Sequence, residues 1–150
     1  LNRPGISIGV VIKKNNKYLL GRRHPKITGG NYWCLPMGKL EWHETLLECA
    51  RREVKEESGI EVQEVEPIVL ANVILPESHY LTLGFLATSW QGEPAISAPN
   101  EIVEWNWFSM GNFPEPIFQP SKEIIDTLFM QGTYSLKAVL DVNNKNTSKE

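Results

Sequence analysis

Basic excess, cysteine and long apolar runs are all scarce in this chain of 150 residues, and each shortage excludes something. Fifteen Lys and Arg stand against 18 Asp and Glu, for a net charge of -3 and a pI near 5.7. A nucleic-acid polymer is therefore not the expected partner, since its binders carry a basic face. A free nucleotide stays open, because bridging metal ions can hold a small polyanion where lysines are few. The only cysteines are Cys34 and Cys49, outside any CxxC motif. They read as two buried thiols of a reducing cytoplasm rather than a disulfide or a catalytic pair. No apolar run approaches the ~20 residues that span a bilayer. The opening Leu1-Asn2-Arg3-Pro4-Gly5 lacks the basic-then-apolar pattern of a signal peptide. No membrane partner is expected.

What is present suffices for one core: 41% of the residues are hydrophobic. The expected organisation is a single domain over 1–142 and a polar, disordered tail over 143–150. Ile6–Lys13 and Lys17–Arg23 read as strands joined by a turn at Asn15-Asn16, residues that tolerate positive φ. His24–Asn31 reads as a loop, Tyr32–Leu35 as a short strand, and Met37–His43 as a second loop. Strands follow at Glu61–Leu75, with Pro67 marking a break or bulge, then at Tyr80–Trp90 and Ile102–Phe108. Ser121–Gln131 has a helical pattern, and Tyr134–Val142 reads as a last strand or an arm packed on a neighbour. Strands before, between and after two helices predict an α/β (α+β) sandwich in which helices cover a mixed sheet.

The first helix, over Glu44–Ser58, places Leu46, Leu47, Ala50 and Val54 on one face. Thr45 and Glu48 have the spacing of a capping box, and Gly59 suits its C-terminus. Glu53, Glu56 and Glu57 recur at three- and four-residue spacing on a second face. Like charges so placed destabilise a helix by a few tenths of a kcal/mol per pair. Arg52 and Lys55 offset part of that repulsion, and a hard divalent cation would offset more. A Glu-rich helix is commonly only a solvated face. Here the surroundings decide otherwise. From Gly38 the chain runs five residues to Glu44, seven more to Arg52-Glu53-Val54-Lys55-Glu56-Glu57, and on to Ser58-Gly59-Ile60. This resembles the Nudix signature GX5EX7REUXEEXGU, U being aliphatic, at all nine specified positions. The chance of such a match is on the order of 10⁻⁹ per start position at average composition.

The resemblance extends over roughly Ile6–Gln131, through the Tyr32-Trp33-Cys34-Leu35-Pro36 lead-in and the aromatic Trp105–Phe108 segment. It implies a Nudix-type α/β/α sandwich and a pyrophosphohydrolase dependent on Mg²⁺, or on Mn²⁺ in its place. Glu56 and Glu57 become the principal metal ligands. Glu53 becomes a further ligand, direct or through water, or the base that activates water. Arg52 orients a carboxylate, Glu44 ties loop to helix, and Gly38 and Gly59 supply turns. Relatives often have Pro-Gly-Gly where this chain has Pro36-Met37-Gly38. The Met37 backbone carbonyl keeps the ligand role that the resemblance assigns there.

Weaker candidates are Glu101, favoured over Glu104 as an added metal carboxylate, and Arg22, Arg23 and Lys39 for phosphates. Trp33, His43 and His79 are candidate substrate contacts, each weighed against a structural role. Ser78-His79-Tyr80-Leu81-Thr82-Leu83, Leu19–Arg23 and Leu40-Glu41 resemble the MutT-like branch that hydrolyses nucleoside triphosphates. That branch implies a small nucleotide substrate, oxidised or not, and a homodimer. A nucleotide-sugar or ADP-ribose hydrolase is the alternative enzyme. A nucleotide-binding sensor without turnover is the non-enzymatic one, disfavoured because the box glutamates are all present.

Overall fold

A computed structural model of the chain describes residues 2–131 and 137–139. Its elements run β1 (Gly5–Val11), β2 (Lys13–Lys14), β3 (Lys17–Arg23), β4 (Trp33–Cys34), β5 (Met37–Lys39), α1 (Leu46–Ser58), β6 (Glu61–Leu75), β7 (Ser78–Gln91), β8 (Ile102–Ser109), α2 (Gln119–Gln131) and β9 (Lys137–Val139). One sheet has the order β5-β1-β7-β6-β9 and is mixed, because β1 runs parallel to β7 and antiparallel to β5. In the other, β3 pairs with β2, β4 and β8.

Strand β1 explains the layering. Ile8 and Val10 join Ile12 in a core with Cys49, Ala50 and Val54 of α1, whereas Val11 packs with Ile124, Ile125 and Leu128 of α2. Successive strand residues point to opposite faces, so a strand covered on both sides is apolar nearly throughout. The two helices thus cover opposite faces, as the sandwich reading requires.

Local chemistry sets the element ends. Asn15 and Asn16 both have positive φ, 52° and 62°, as the hairpin turn needs. Pro67, which has no N–H for the ladder, stands where the β6–β7 register shifts. Thr45 caps α1 with the reciprocal Glu48 bond, and Gly59 closes the helix at φ 77°.

Some boundaries differ. Ile12 interrupts the expected first strand, and α1 begins after its Thr45 cap rather than at Glu44. The loop expected at Met37–His43 opens with β5, because Met37–Lys39 pair with Ser7–Gly9 of β1. Of the expected Tyr134–Val142 element, only β9 is described; it pairs with Val69–Ala71 of β6. The 143–150 tail lies outside the described residues.

Candidate functional site

Helix α1 turns its carboxylates toward a cavity of about 810 Å³, walled by β5, β6, β7, the residues before β8 and the start of α2. Met37, Gly38, Arg52, Glu53, Glu56, Glu57 and Glu101 all line it. The placement follows from the helix's other face: Ala50 and Val54 are fully buried, which fixes α1's rotation and directs positions 53, 56 and 57 along the cavity.

Glu57 is only 4% exposed, and its Oε1 accepts the Met37 backbone N–H at 2.8 Å. Burial, with the charges of Glu53 and Glu101 beside it, pushes its carboxyl well above the usual carboxylate range, against the Met37 bond. Glu53 is held close over Gly38, where any Cβ would land on its carboxylate. That contact, rather than a turn conformation, is what a side chain at position 38 would disturb, by pushing the end of the Glu53 side chain aside. Burial raises the Glu53 pKa too, with Arg52 opposing and Glu56 and Glu101 adding to the rise.

Arg52 is the centre of the ionic network. Its Nε and Nη2 donate to the two Glu44 carboxylate oxygens at 2.6 and 2.9 Å. Its Nη1 donates to Glu53 at 2.7 Å and Glu56 at 3.4 Å, and its Nη2 to the Lys39 carbonyl at 3.0 Å. The planar guanidinium thereby ties the 38–44 loop to the helix while orienting Glu53. Arg52 holds the Glu44 carboxyl down to about 2. Lys55, expected to share in neutralising the cluster, instead meets Glu61 at 3.3 Å. Trp105 steadies the helix end by donating its indole N–H to the Glu57 carbonyl at 3.1 Å.

A hard divalent cation suits this donor set. All the donors are oxygens, the carboxylates are crowded enough to raise each other's pKa, and one is nearly buried. Among the described residues no group of three or more His, Cys, Asp or Glu is arranged as a ready-made metal site. Mg²⁺ commonly takes one or two carboxylates and keeps several waters, so that finding is compatible with its chemistry.

The other candidates divide. Glu101 lines the cavity, whereas Glu104 pairs with Arg22 at 3.0 Å. Arg22 also donates to Asn31 and is not part of the cavity lining; the neighbouring Arg23 is. Adjacent strand residues face opposite sides, and the β3–β8 register shifts between these two arginines. Arg23 lies over the Phe118 ring, 4.0 Å from its centroid, and donates to the Thr28 carbonyl. Trp33 packs edge-on to Phe108 at 5.1 Å within the α2-side core, away from the lining. His79 contacts Asn72 at 2.6 Å and lines an adjoining concavity with Asn2–Gly5, which shares Leu75, Ser78 and Tyr80 with the first. His43 packs edge-on to Trp42. Lys39 is at the cavity, 5.7 Å from the Tyr80 ring centroid. Both cysteines are buried and free, with burial pushing each thiol up to about 12.

Comparison with known proteins identifies the family. The NUDIX domain matches residues 3–128, and the chain belongs to that family. It is a hydrolase of the Nudix type. It is 34% identical over 88 residues to an 8-oxo-dGTP diphosphatase of Proteus vulgaris, covering 59% of this chain and 79% of that protein. It is 30% identical over 125 residues to an ADP-ribose pyrophosphatase of Methanocaldococcus jannaschii, covering 82% of this chain and 72% of that one. An NAD-capped RNA hydrolase, NudC, of Stutzerimonas stutzeri is 33% identical over 108 residues, 72% of this chain but 37% of that protein. The chain thus spans well under half the length of that relative. In fold it is similar to a MutT NUDIX hydrolase from Burkholderia pseudomallei, with a TM-score of 0.80 and 24% identity over 85% of this chain and 99% of that one. Nudix hydrolases generally act with divalent metal ions. Among the described residues no helix is long and apolar enough to cross a membrane.

Proposed function

We propose that this Nudix hydrolase cleaves a nucleoside triphosphate, normal or oxidised, to a monophosphate and diphosphate, using Mg²⁺ or Mn²⁺. The observation that carries the reading is the carboxylate cluster of α1 lining a cavity whose other walls combine apolar residues such as Ile27, Val73, Leu75 and Phe118 with Arg23 and Lys39. Glu56 and Glu57, with the Met37 carbonyl and Glu101, would hold the cation. Glu53 either joins them, directly or through water, or takes the proton of the attacking water. Bound metal neutralises phosphate oxygens, positions them and lowers the pKa of water. The chain's own work is to present these oxygens in fixed positions. The Met37 N–H orients Glu57, Arg52 orients Glu53, and Glu44 anchors Arg52. Arg23 brings a positive charge to the same cavity, suited to a phosphate oxygen left free of metal. As water oxygen bonds to phosphorus, the bond to the leaving phosphate oxygen breaks and one water proton is released.

Triphosphate is preferred because several adjacent phosphates suit a multi-carboxylate site, and because Ser78–Leu83 resembles the MutT-like branch. Hydrolysis of ADP-ribose is the second reading, favoured by the Methanocaldococcus relative, which matches over 82% of this chain. The test is a panel of nucleoside triphosphates, oxidised triphosphates, nucleotide sugars and ADP-ribose with Mg²⁺, the products being separated by ion exchange. Monophosphate plus diphosphate is expected. Turnover confined to nucleotide sugars or ADP-ribose overturns the triphosphate choice. A homodimer in the cytoplasm completes the proposal.

A further inference from the structure

Beyond the carboxylates, the cavity has a polar feature that the reaction does not use. Ser7 on β1 and Thr82 on β7 are register partners, and their hydroxyl oxygens lie 2.8 Å apart. Thr82 is 0% exposed and Ser7 7%; of the two, Ser7 lines the cavity. Two hydroxyls carry two protons, and the bond between them uses one. Among the described residues neither side chain makes another hydrogen bond. An enclosed donor left unspent is costly. Thr82, sealed from solvent, therefore spends its proton on Ser7 Oγ, which leaves the Ser7 O–H to point into the cavity.

The position of this donor narrows its ligand. In the strand order β5-β1-β7-β6, Ser7 stands one strand from Met37–Lys39 and the carboxylates. Toward β6 the lining has apolar Val73 and Leu75, with Ser78 and Tyr80 of β7 beside them, and Phe118 is also in the wall. Thr28, Ser78 and Tyr80 also bring hydroxyls to the lining, but among the described residues only the Ser7 hydroxyl is fixed by a buried hydroxyl partner. A fixed donor beside an apolar wall orients a flat ring or sugar through a single acceptor. We infer that Ser7 is a specificity-determining residue that donates to an uncharged oxygen or nitrogen of the substrate's nucleoside part, and that Thr82 is the positioning residue that turns the Ser7 proton outward. This rests on the nucleotide reading above.

The test compares wild type with Ser7→Ala, Thr82→Val and Thr82→Ser. Each is assayed on a good triphosphate, on base analogues lacking one ring or carbonyl acceptor, and on sugar-deoxy analogues. The base and sugar arms show which part holds the acceptor. Wild type should disfavour one analogue about tenfold, the loss expected for one hydrogen bond. Ser7→Ala should raise KM about tenfold for the parent compound, change kcat less, and erase that discrimination. Thr82→Val should weaken the discrimination and Thr82→Ser restore it. If Thr82→Val does not fold, Ser7→Ala and Thr82→Ser carry the test alone.

A Ser7→Ala effect equal for every analogue, or no effect, overturns the inference while the reaction stands. If no triphosphate turns over, calorimetric binding of nucleoside monophosphates without metal replaces kinetics. Binding that weakens in Ser7→Ala then supports Ser7 while the triphosphate reading fails. Binding indifferent to Ser7, or no binding at all, overturns Ser7.

Discussion

Replacing Glu44 by Gln tests whether Arg52 depends on Glu44 to hold the site together. The Glu44 side chain is 10% exposed and Arg52 23%, so this bidentate pair lies between the exposed and buried limits. Exposed pairs contribute ~0–1 kcal/mol, and breaking a buried one costs ~3–5 kcal/mol. Gln preserves shape and one acceptor, so Glu44→Gln should cost about 2 kcal/mol, within the range for hydrogen bonds to charged groups. Arg52→Ala should cost more, about 3 kcal/mol, because it also leaves Glu53 and Glu56 facing Glu44 without a cation. Combined, the two should cost less than their sum, since each removes the same bond. Urea unfolding of the metal-free proteins measures all three.

The pH dependence adds a sign. Arg52 holds the Glu44 carboxyl at about 2 against an ordinary 4.5. The folded state thus stays ionised where the unfolded chain already binds a proton. Glu44's contribution is complete above 4.5 and is lost as pH falls toward 2. The wild-type advantage over Glu44→Gln should therefore shrink between pH 5 and 3. A cost below about 0.5 kcal/mol at neutral pH, or one unchanged down to pH 3, would refute the clamp. Activity should fall roughly 10- to 100-fold, as when a group supporting a metal ligand is lost.

The other predictions concern the same helix and the assembly. Glu56→Gln and Glu57→Gln should each lower kcat by at least about a hundredfold at saturating Mg²⁺, and chelation should abolish wild-type turnover; rates within a few-fold of wild type would sink the ligand assignment. Gly38→Ala should displace the end of the flexible Glu53 side chain at little cost in stability while losing most of the activity, to be read from urea midpoints and initial rates. Light scattering should report a dimer; a mass near 17 kDa across a wide concentration range would exclude it.

Much of this site was legible because its determinants are local. Thr45, Glu48 and Gly59 set the ends of α1, and the spacing of Ala50 and Val54 against Glu53, Glu56 and Glu57 sets its faces. Asn15-Asn16 and Pro67 likewise act where they stand. Strand side chains were harder to place, because one residue of register reverses the face. Arg22 and Arg23 are adjacent and chemically alike, yet on alternating faces of β3 the first meets Glu104 and the second lines the cavity. Trp33 is equally suited to a base or a core, and only its contact with Phe108 decides. Ser7 and Thr82, 75 positions apart, carry no local signal at all.

The carboxylate helix also explains why its supports are so densely bonded. Glu57 has its pKa raised by burial and by Glu53 and Glu101, so without metal its ionised form weakens the fold. The sign is opposite to that of Glu44: the contribution is complete below 4.5 and is lost as pH rises from there through the raised pKa. Neutral Gln at position 57 should therefore flatten this decline and leave the metal-free protein at least as stable as wild type near neutrality. Removing a group needed for metal binding would then raise metal-free stability, the mark of a residue retained for chemistry rather than folding. Urea midpoints of wild type and Glu57→Gln, taken in chelator from pH 5 to 8, decide the matter. A mutant less stable than wild type throughout, with a parallel pH profile, would show instead that the ionised Glu57–Met37 bond outweighs the cost of burying the charge.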